Sequence, residues 1–281
     1  MLAPRFELHR PDTLEAALRL LADLGDDAAP YAGGTELLVA MKARVLRYAH
    51  IVDLKGIASL KGVRALPGGG LSIGALTTHH QLCGDPLVRA QFPAYAELSA
   101  DVANIRVRVA GTLGGNLCFA EPHADPPALL CALDAQLCLA SPRGERTLPM
   151  REFILGEFTT ARESDELLVS VDLPALPAGA QAAYRAFGHL ERPAAGVAVV
   201  REPSGVWRAW AGAVSGQPVR LDATEHAGQG LSGAQAVLAM EHAAAKEAEG
   251  IDMHDDIHGS AEYKRHLVSV LVRRAAQACL P

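Results

Sequence analysis

Residues 111–130 read GTLGGNLCFAEPHADPPALL. Gly111, Gly114 and Gly115, with Thr112 and Asn116, take five of the six positions 111–116 with residues that suit neither a helix nor a strand interior, and Pro122, Pro126 and Pro127 follow. The pattern predicts irregular backbone up to Pro127, then a helix to about Ala135 with proline near its first turn. Glycines let backbone approach a ligand closely, and consecutive free amides in such a turn hold an anionic phosphate. Asp125 is placed to accept hydrogen bonds from hydroxyls. Together these point to a nucleotide cofactor carrying phosphates and a sugar chain. One glycine- and proline-rich stretch is, by itself, better read as a surface loop and nothing more.

A second stretch changes that balance. Residues 31–42, YAGGTELLVAMK, run from a short apolar lead across Gly33 and Gly34 into a helical pattern that starts near Thr35 and reaches about Arg44. Backbone donors and a helix start then stand where a pyrophosphate would be stabilised.

The surrounding sequence supplies a scaffold for both turns. Phe6–Leu8 reads as a strand, Asp12 with Glu15 as a capping box, and the helix that follows ends at Gly25. Strands near 28–32 and 50–54 complete a strand–helix–strand–helix–strand unit whose glycine turn lies at a strand's carboxyl end, where ligands bind in such units. A hairpin around Gly68–Gly70, short helices broken by Pro86 and Pro93, and strands at 136–140 and 167–173 form a second lobe, read as α/β. The run LPALPAG at 173–179 has the punctuation of a linker. Beyond it, alternation at 182–187, 196–200 and 206–214 predicts a three-stranded antiparallel sheet, followed by helices at about 234–248 and after Ser260.

With 281 residues, 49% of them apolar, and a formal net charge of −6 with no basic run, the chain can bury two domains and carries no nucleic-acid-binding face. No stretch has membrane-spanning length and the N-terminal residues lack a signal-peptide core, so a cytoplasmic location is expected. The five cysteines form no C-x-x-C pair, which leaves neither a disulfide framework nor an iron–sulfur ligand set and predicts small buried apolar residues. Gly228-Gln-Gly230-Leu-Ser-Gly233 fits the dinucleotide fingerprint but lacks a preceding strand and is read as a loop. His79 and His80 are assigned to surface or helix-capping roles, and the segment holding His254 and His258 to a loop.

AGGTELLVAMK at 32–42, IGALTTHHQL at 73–82, VRVAGTLGGNLCFAEPHADPPALLCALDA at 107–135, DELLVSVDLP at 165–174 and the tail SAEYKRHLVSVLVRRA at 260–275 resemble the FAD-binding medium subunit of molybdenum hydroxylases, the family of carbon monoxide dehydrogenase and xanthine dehydrogenase. The resemblance implies an α+β protein. A two-lobed FAD-binding domain of the vanillyl-alcohol-oxidase type would span residues 1–174, with lobes of about 1–55 and 56–174, followed by a smaller α+β C-terminal domain at 178–281. It further implies that Ala32, Gly33, Gly34, Thr35 and Glu36 form one pyrophosphate loop and Thr112, Gly114, Gly115 and Asn116 the other. Asp125 would bind sugar or ribityl hydroxyls, and Leu168 would lie against the flavin. Arg185 stands where relatives often carry a lysine at the flavin's pyrimidine edge, Val109 where many carry asparagine, and Pro193 and Ala194 near the ring. The implied partners are a large subunit with the molybdenum cofactor and a small subunit with [2Fe-2S] clusters, as a dimer of heterotrimers delivering electrons to an external acceptor. A stand-alone flavin reductase and a non-catalytic scaffold subunit remain alternatives.

Overall fold

The computed structural model describes residues 5–188 and 191–280; the extreme ends of the two expected domains, 1–4 and 281, lie outside the described residues. The first lobe runs β1 (Glu7–His9), α1 (Leu14–Leu24), β2 (Ala28–Tyr31), α2 (Leu37–Lys42) and β3 (His50–Asp53), with β3 pairing in parallel between the other two strands. Helix α1 buries Ala17, Leu18 and Leu21 and stops at Gly25, whose φ of 55° a side chain would resist. Its N-cap is Thr13, which accepts the amide of Ala16 at 3.2 Å, and not Asp12. The helix simply starts one residue later than the capping-box pattern suggested, leaving Glu15 in its first turn. Helix α2 is also shorter than expected, because Gly34 at φ 70° holds Thr35 and Glu36 in the turn and Arg44 at φ 62° ends the helical path.

The second lobe is built on a five-stranded sheet in the order β4 (Val63–Ala65), β5 (Leu71–Gly74), β10 (Leu167–Leu173), β6 (Gln136–Ser141), β7 (Gly144–Pro149). Every pair is antiparallel, which corrects the α/β reading of this lobe; hairpins, not helical crossovers, join β4 to β5 and β6 to β7. The first hairpin turns at Gly68–Gly70, as the sequence indicates. Helices α3 (His79–Gly84), α4 (Pro86–Gln91) and α5 (Pro93–Asp101) follow β5, two of them opened by the predicted prolines. Next come α6 (Ile105–Ala110), α7 (Leu113–Phe119) and α8 (Pro126–Ala132). A small hairpin of β8 (Ile154–Gly156) and β9 (Thr159–Thr160) precedes β10.

Helix α7 overturns the expectation of irregular backbone before Pro127. Thr112 caps it, accepting the amide of Gly115 at 3.1 Å, and its two glycines serve packing: a Cβ on Gly114 would stand 2.7 Å from the Cβ of Ala75. Glycine's helix penalty of about 1 kcal/mol is offset by an approach to the end of β5 that no other residue permits. Helix α8 is buried at all seven positions and packs on the C-terminal sheet, so it forms the joint between domains.

That sheet has the order β11 (Gln181–Phe187), β12 (Ala195–Arg201), β13 (Trp207–Gly212), β14 (Val219–Arg220), all antiparallel. The fourth strand was not foreseen because two residues show no alternation. Ala198, Val200 and Trp210 face the core of the second lobe, whereas Val197, Val199, Ala209 and Ala211 face the layer of α9 (Asp222–Gly228), α10 (Gly233–Glu247) and α11 (Ala261–Ala278). One sheet therefore carries two cores. The glycine fingerprint runs from the last residue of α9, Gly228, across the connection to the first of α10, Gly233, and a Cβ on Gly228 would meet Trp207 and Met240, so that glycine serves packing.

Candidate functional site

The two glycine turns, 77 residues apart in sequence (Gly34 to Gly111), meet in space. A Cβ placed on Gly33 would collide with the carbonyl oxygen of Ala110 and stand 2.9 Å from the Cα of Gly111, while one on Gly111 would lie 3.6 Å from Thr35 Oγ1. Both turns open onto one cleft between the lobes. Ala32, Gly33, Gly34, Thr35, Glu36, Thr112, Gly114, Gly115, Asn116, Asp125 and Leu168 all line it. Leu168 reaches the wall beside a bulge, where β10 shifts register against β6 between Leu168 and Ser170.

The turns differ in what they offer an anion. Around the second, the amides of Leu113, Gly114, Gly115 and Asn116 are committed to Thr77 O, Ala75 O, Thr112 Oγ1 and Thr112 O at 2.8–3.1 Å. In the first, the amides of Gly33, Gly34, Thr35 and Glu36 have no acceptor among the described residues. Free donors for a phosphate thus come from the first turn, while the second, its amides bonded to Thr112 and to the segment after β5, sets the distance of approach.

Asp125 precedes α8 but does not cap it; its Oδ1 accepts the hydroxyl of Tyr184 at 2.9 Å. Burial pushes its carboxyl up to about 6, against the pull of the Tyr184 hydroxyl and with help from Asp101 and Glu121. A second oxygen is left for a ligand hydroxyl. Burial likewise raises Glu121, opposed chiefly by Arg192, whose guanidinium lies 2.7 Å from Glu36 Oε1 and 3.5 Å from Glu121 Oε1. Arg192 on the C-terminal side thus ties both lobes at the cleft.

His123 crosses the same boundary. Its Nδ1 lies 2.8 Å from the carbonyl oxygen of Pro193 and its Nε2 3.0 Å from Asp256 Oδ2. Asp256 also accepts from Lys264 Nζ and from the amides of His258 and Gly259. Burial alone would raise its pKa, but the Lys264 bond, the His258 amide and the charges of Lys264 and His123 hold it at about 2.

Several residues stand elsewhere than the sequence suggested. Arg185 does not line the cleft. Neighbours on a strand point to opposite faces, so with Tyr184 turned to Asp125, Arg185 lies towards Cys279 on the helical side. Val109 is half exposed and Val107 lines the cleft instead. Pro193 does not line the cleft, and its carbonyl oxygen faces His123 Nδ1; Ala194 is buried in the C-terminal core. His79, assigned to surface or capping roles, is 2% exposed and lines the cleft, whereas Thr78 does the capping. His254 and His258 do not join: the first is exposed beside Asp252 and the second stacks on His123 with centroids 4.2 Å apart. Of the free cysteines, Cys131 and Cys279 are buried, but Cys83, Cys118 and Cys138 are only partly so. Among the described residues the one group of metal-ligating size is Glu7, His9 and His50, on the β1–β3 edge.

The donor set fits a dinucleotide such as FAD. Two glycine turns provide close approach, the first of them free amides, Asp125 an acceptor for hydroxyls, and Asn116 Oδ1 is a buried polar atom with no partner among the described residues.

Comparison with known proteins agrees. Residues 4–176 match the family described as FAD binding domain in molybdopterin dehydrogenase, and residues 207–279 match the CO dehydrogenase flavoprotein C-terminal domain. The carbon monoxide dehydrogenase medium chain of Hydrogenophaga pseudoflava is 34% identical over 99% of this chain and 98% of its own length. The 6-hydroxypseudooxynicotine dehydrogenase complex subunit alpha of Paenarthrobacter nicotinovorans is 31% identical over 100% and 96%. A solved structure of Cu,Mo-CO dehydrogenase superposes with a TM-score of 0.93 at 32% identity over 99% of both chains. The chain belongs to the FAD-binding medium subunits of the molybdenum hydroxylases, the oxidoreductase family of carbon monoxide dehydrogenase and xanthine dehydrogenase.

Proposed function

We propose that this chain is the electron-transfer subunit of a molybdenum hydroxylase complex, taking electrons from [2Fe-2S] clusters of a small partner and delivering them to an external acceptor, while a large partner carries the molybdenum cofactor. Bound FAD would supply the redox chemistry, accepting and releasing the electrons. The observation that carries this reading is the convergence of the two glycine turns on one cleft with Asp125 in its wall.

The residues would divide the work as follows. Gly33, Gly34, Thr35 and Glu36 present amides to the diphosphate. Ala32, Thr112, Gly114 and Gly115 keep the opposing walls close enough to grip it, and Asn116 gives its unpartnered Oδ1 to a donor on the cofactor. Asp125, oriented by Tyr184, accepts a sugar or ribityl hydroxyl. Leu168 packs against the flavin. The organic substrate would be met by the large partner, and the cytoplasm is the compartment we infer.

Purification of the untagged protein from its native host tests the assembly. Flavin, molybdenum and iron in one gel-filtration peak, as a dimer of heterotrimers, is the expected result. A chain that elutes alone with flavin and reduces acceptors by itself would point instead to a stand-alone reductase.

A further inference from the structure

Resting on the FAD reading, one residue of the cleft still lacks a role. The amide of His79 donates to Gly111 O at 3.1 Å and the neighbouring Thr78 bridges Thr112, so the backbone pins His79 to the second glycine turn. Its ring packs into the junction of the turns: a Cβ on Gly111 would lie 3.5 Å from His79 Cδ2 and 3.6 Å from Thr35 Oγ1. The residue is 2% exposed and lines the cleft, yet its side chain hydrogen-bonds no described residue, and Nδ1 is buried with no partner.

A buried imidazole nitrogen without a partner is a cost to the empty protein. Burial, and then the charge of Arg108, press its pKa down to about 4, so at neutral pH the ring holds one proton and offers one donor and one acceptor. An apolar residue would fill the same space without that penalty.

We propose that His79 is a further cofactor-binding residue, its imidazole hydrogen-bonding the diphosphate of FAD where the two glycine turns meet. The hydrogen bond missing in the protein is then made in the complex. His79 adds a side-chain donor to the amides of the first turn, on the side of the cleft where the amides of the second are already used.

The test uses the full chain stripped of flavin and titrated separately with FAD and ADP, alongside thermal unfolding of the flavin-free protein. His79→Leu keeps the packing and removes the hydrogen bond; it should weaken both ligands about tenfold while leaving the flavin-free protein as stable as wild type or more so. His79→Asn, whose amide sits near the Nδ1 position, should restore most of the affinity. Loss of stability and affinity together in His79→Leu, or FAD and ADP binding within twofold of wild type, would make His79 a packing residue and overturn the proposal. Wild type that binds neither ligand would overturn the cofactor reading itself.

Discussion

Gly33→Ala is the most revealing single change, because the sequence position is unremarkable in conformation and the whole effect comes from proximity. Gly33 has no positive φ, so alanine suits its backbone. What alanine does not suit is Ala110: the new Cβ would stand 2.7 Å from its carbonyl carbon, closer still to its oxygen, and 2.9 Å from Gly111 Cα. Real Cβ contacts stop near 3.0 Å, and these atoms are backbone, so the turns must separate by several tenths of an ångström or more. Overpacking of this kind costs about 1–3 kcal/mol, and here it falls on the distance that grips the diphosphate. If the whole increment is felt by the ligand, FAD binding weakens by about 5- to 150-fold. Gly84→Ala is the control, since a Cβ there meets nothing within 4 Å and no positive φ is involved. Flavin absorbance after desalting, with calorimetric titration of the flavin-free proteins, reads the difference. Gly33→Ala protein that holds FAD as tightly as Gly84→Ala would refute the reasoning.

Two further substitutions separate fold stability from cofactor binding. Because burial lifts Asp125 to about 6, its ionised form penalises the fold above about pH 6, and the penalty fades as pH falls towards the unfolded value near 4. Asp125→Asn should therefore raise thermal stability at pH 7–8 but not at pH 4, while lowering flavin retention; equal effects at both pH values would contradict this. Asp256, held at about 2, contributes stability that is complete above its unfolded pKa of about 4 and lost as pH falls through about 2. Asp256→Ala strands the buried ammonium of Lys264 and should destabilise by somewhat less than the ~3–5 kcal/mol of a fully buried pair, since Asp256 is 30% exposed. Chemical denaturation should show that loss at pH 7 and see it vanish towards pH 2.

The legible parts of the site were those that chemistry confines to a few adjacent residues. Gly33–Glu36 and Thr112–Asn116 announce close approach by composition, and Asp125 follows its turn directly, so residue type alone makes them readable, whereas their meeting on one diphosphate is implied only by the family resemblance. That the second stretch forms α7, and not a loop, depends on Ala75 lying beneath Gly114, a contact between segments about forty residues apart. Arg185 illustrates the limit of alignment alone: one position along a strand reverses the face, and only the Tyr184–Asp125 bond reveals which face is which. His79 resembled a surface residue because its burial is imposed by α6 and Gly111, neither of which borders it in sequence. Arg192 and His123 gain their roles from partners 156 and 70 residues away. The two-residue strand β14 and the helix α9 were too short for periodicity to register.

Calorimetric titration of the flavin-free full chain with FAD, with ADP as competitor, bears most directly on the claim that the two turns jointly clasp a dinucleotide. A single saturable site that ADP blocks is the predicted result. Absence of saturable FAD binding by folded protein, or FAD binding that excess ADP leaves untouched, would contradict it.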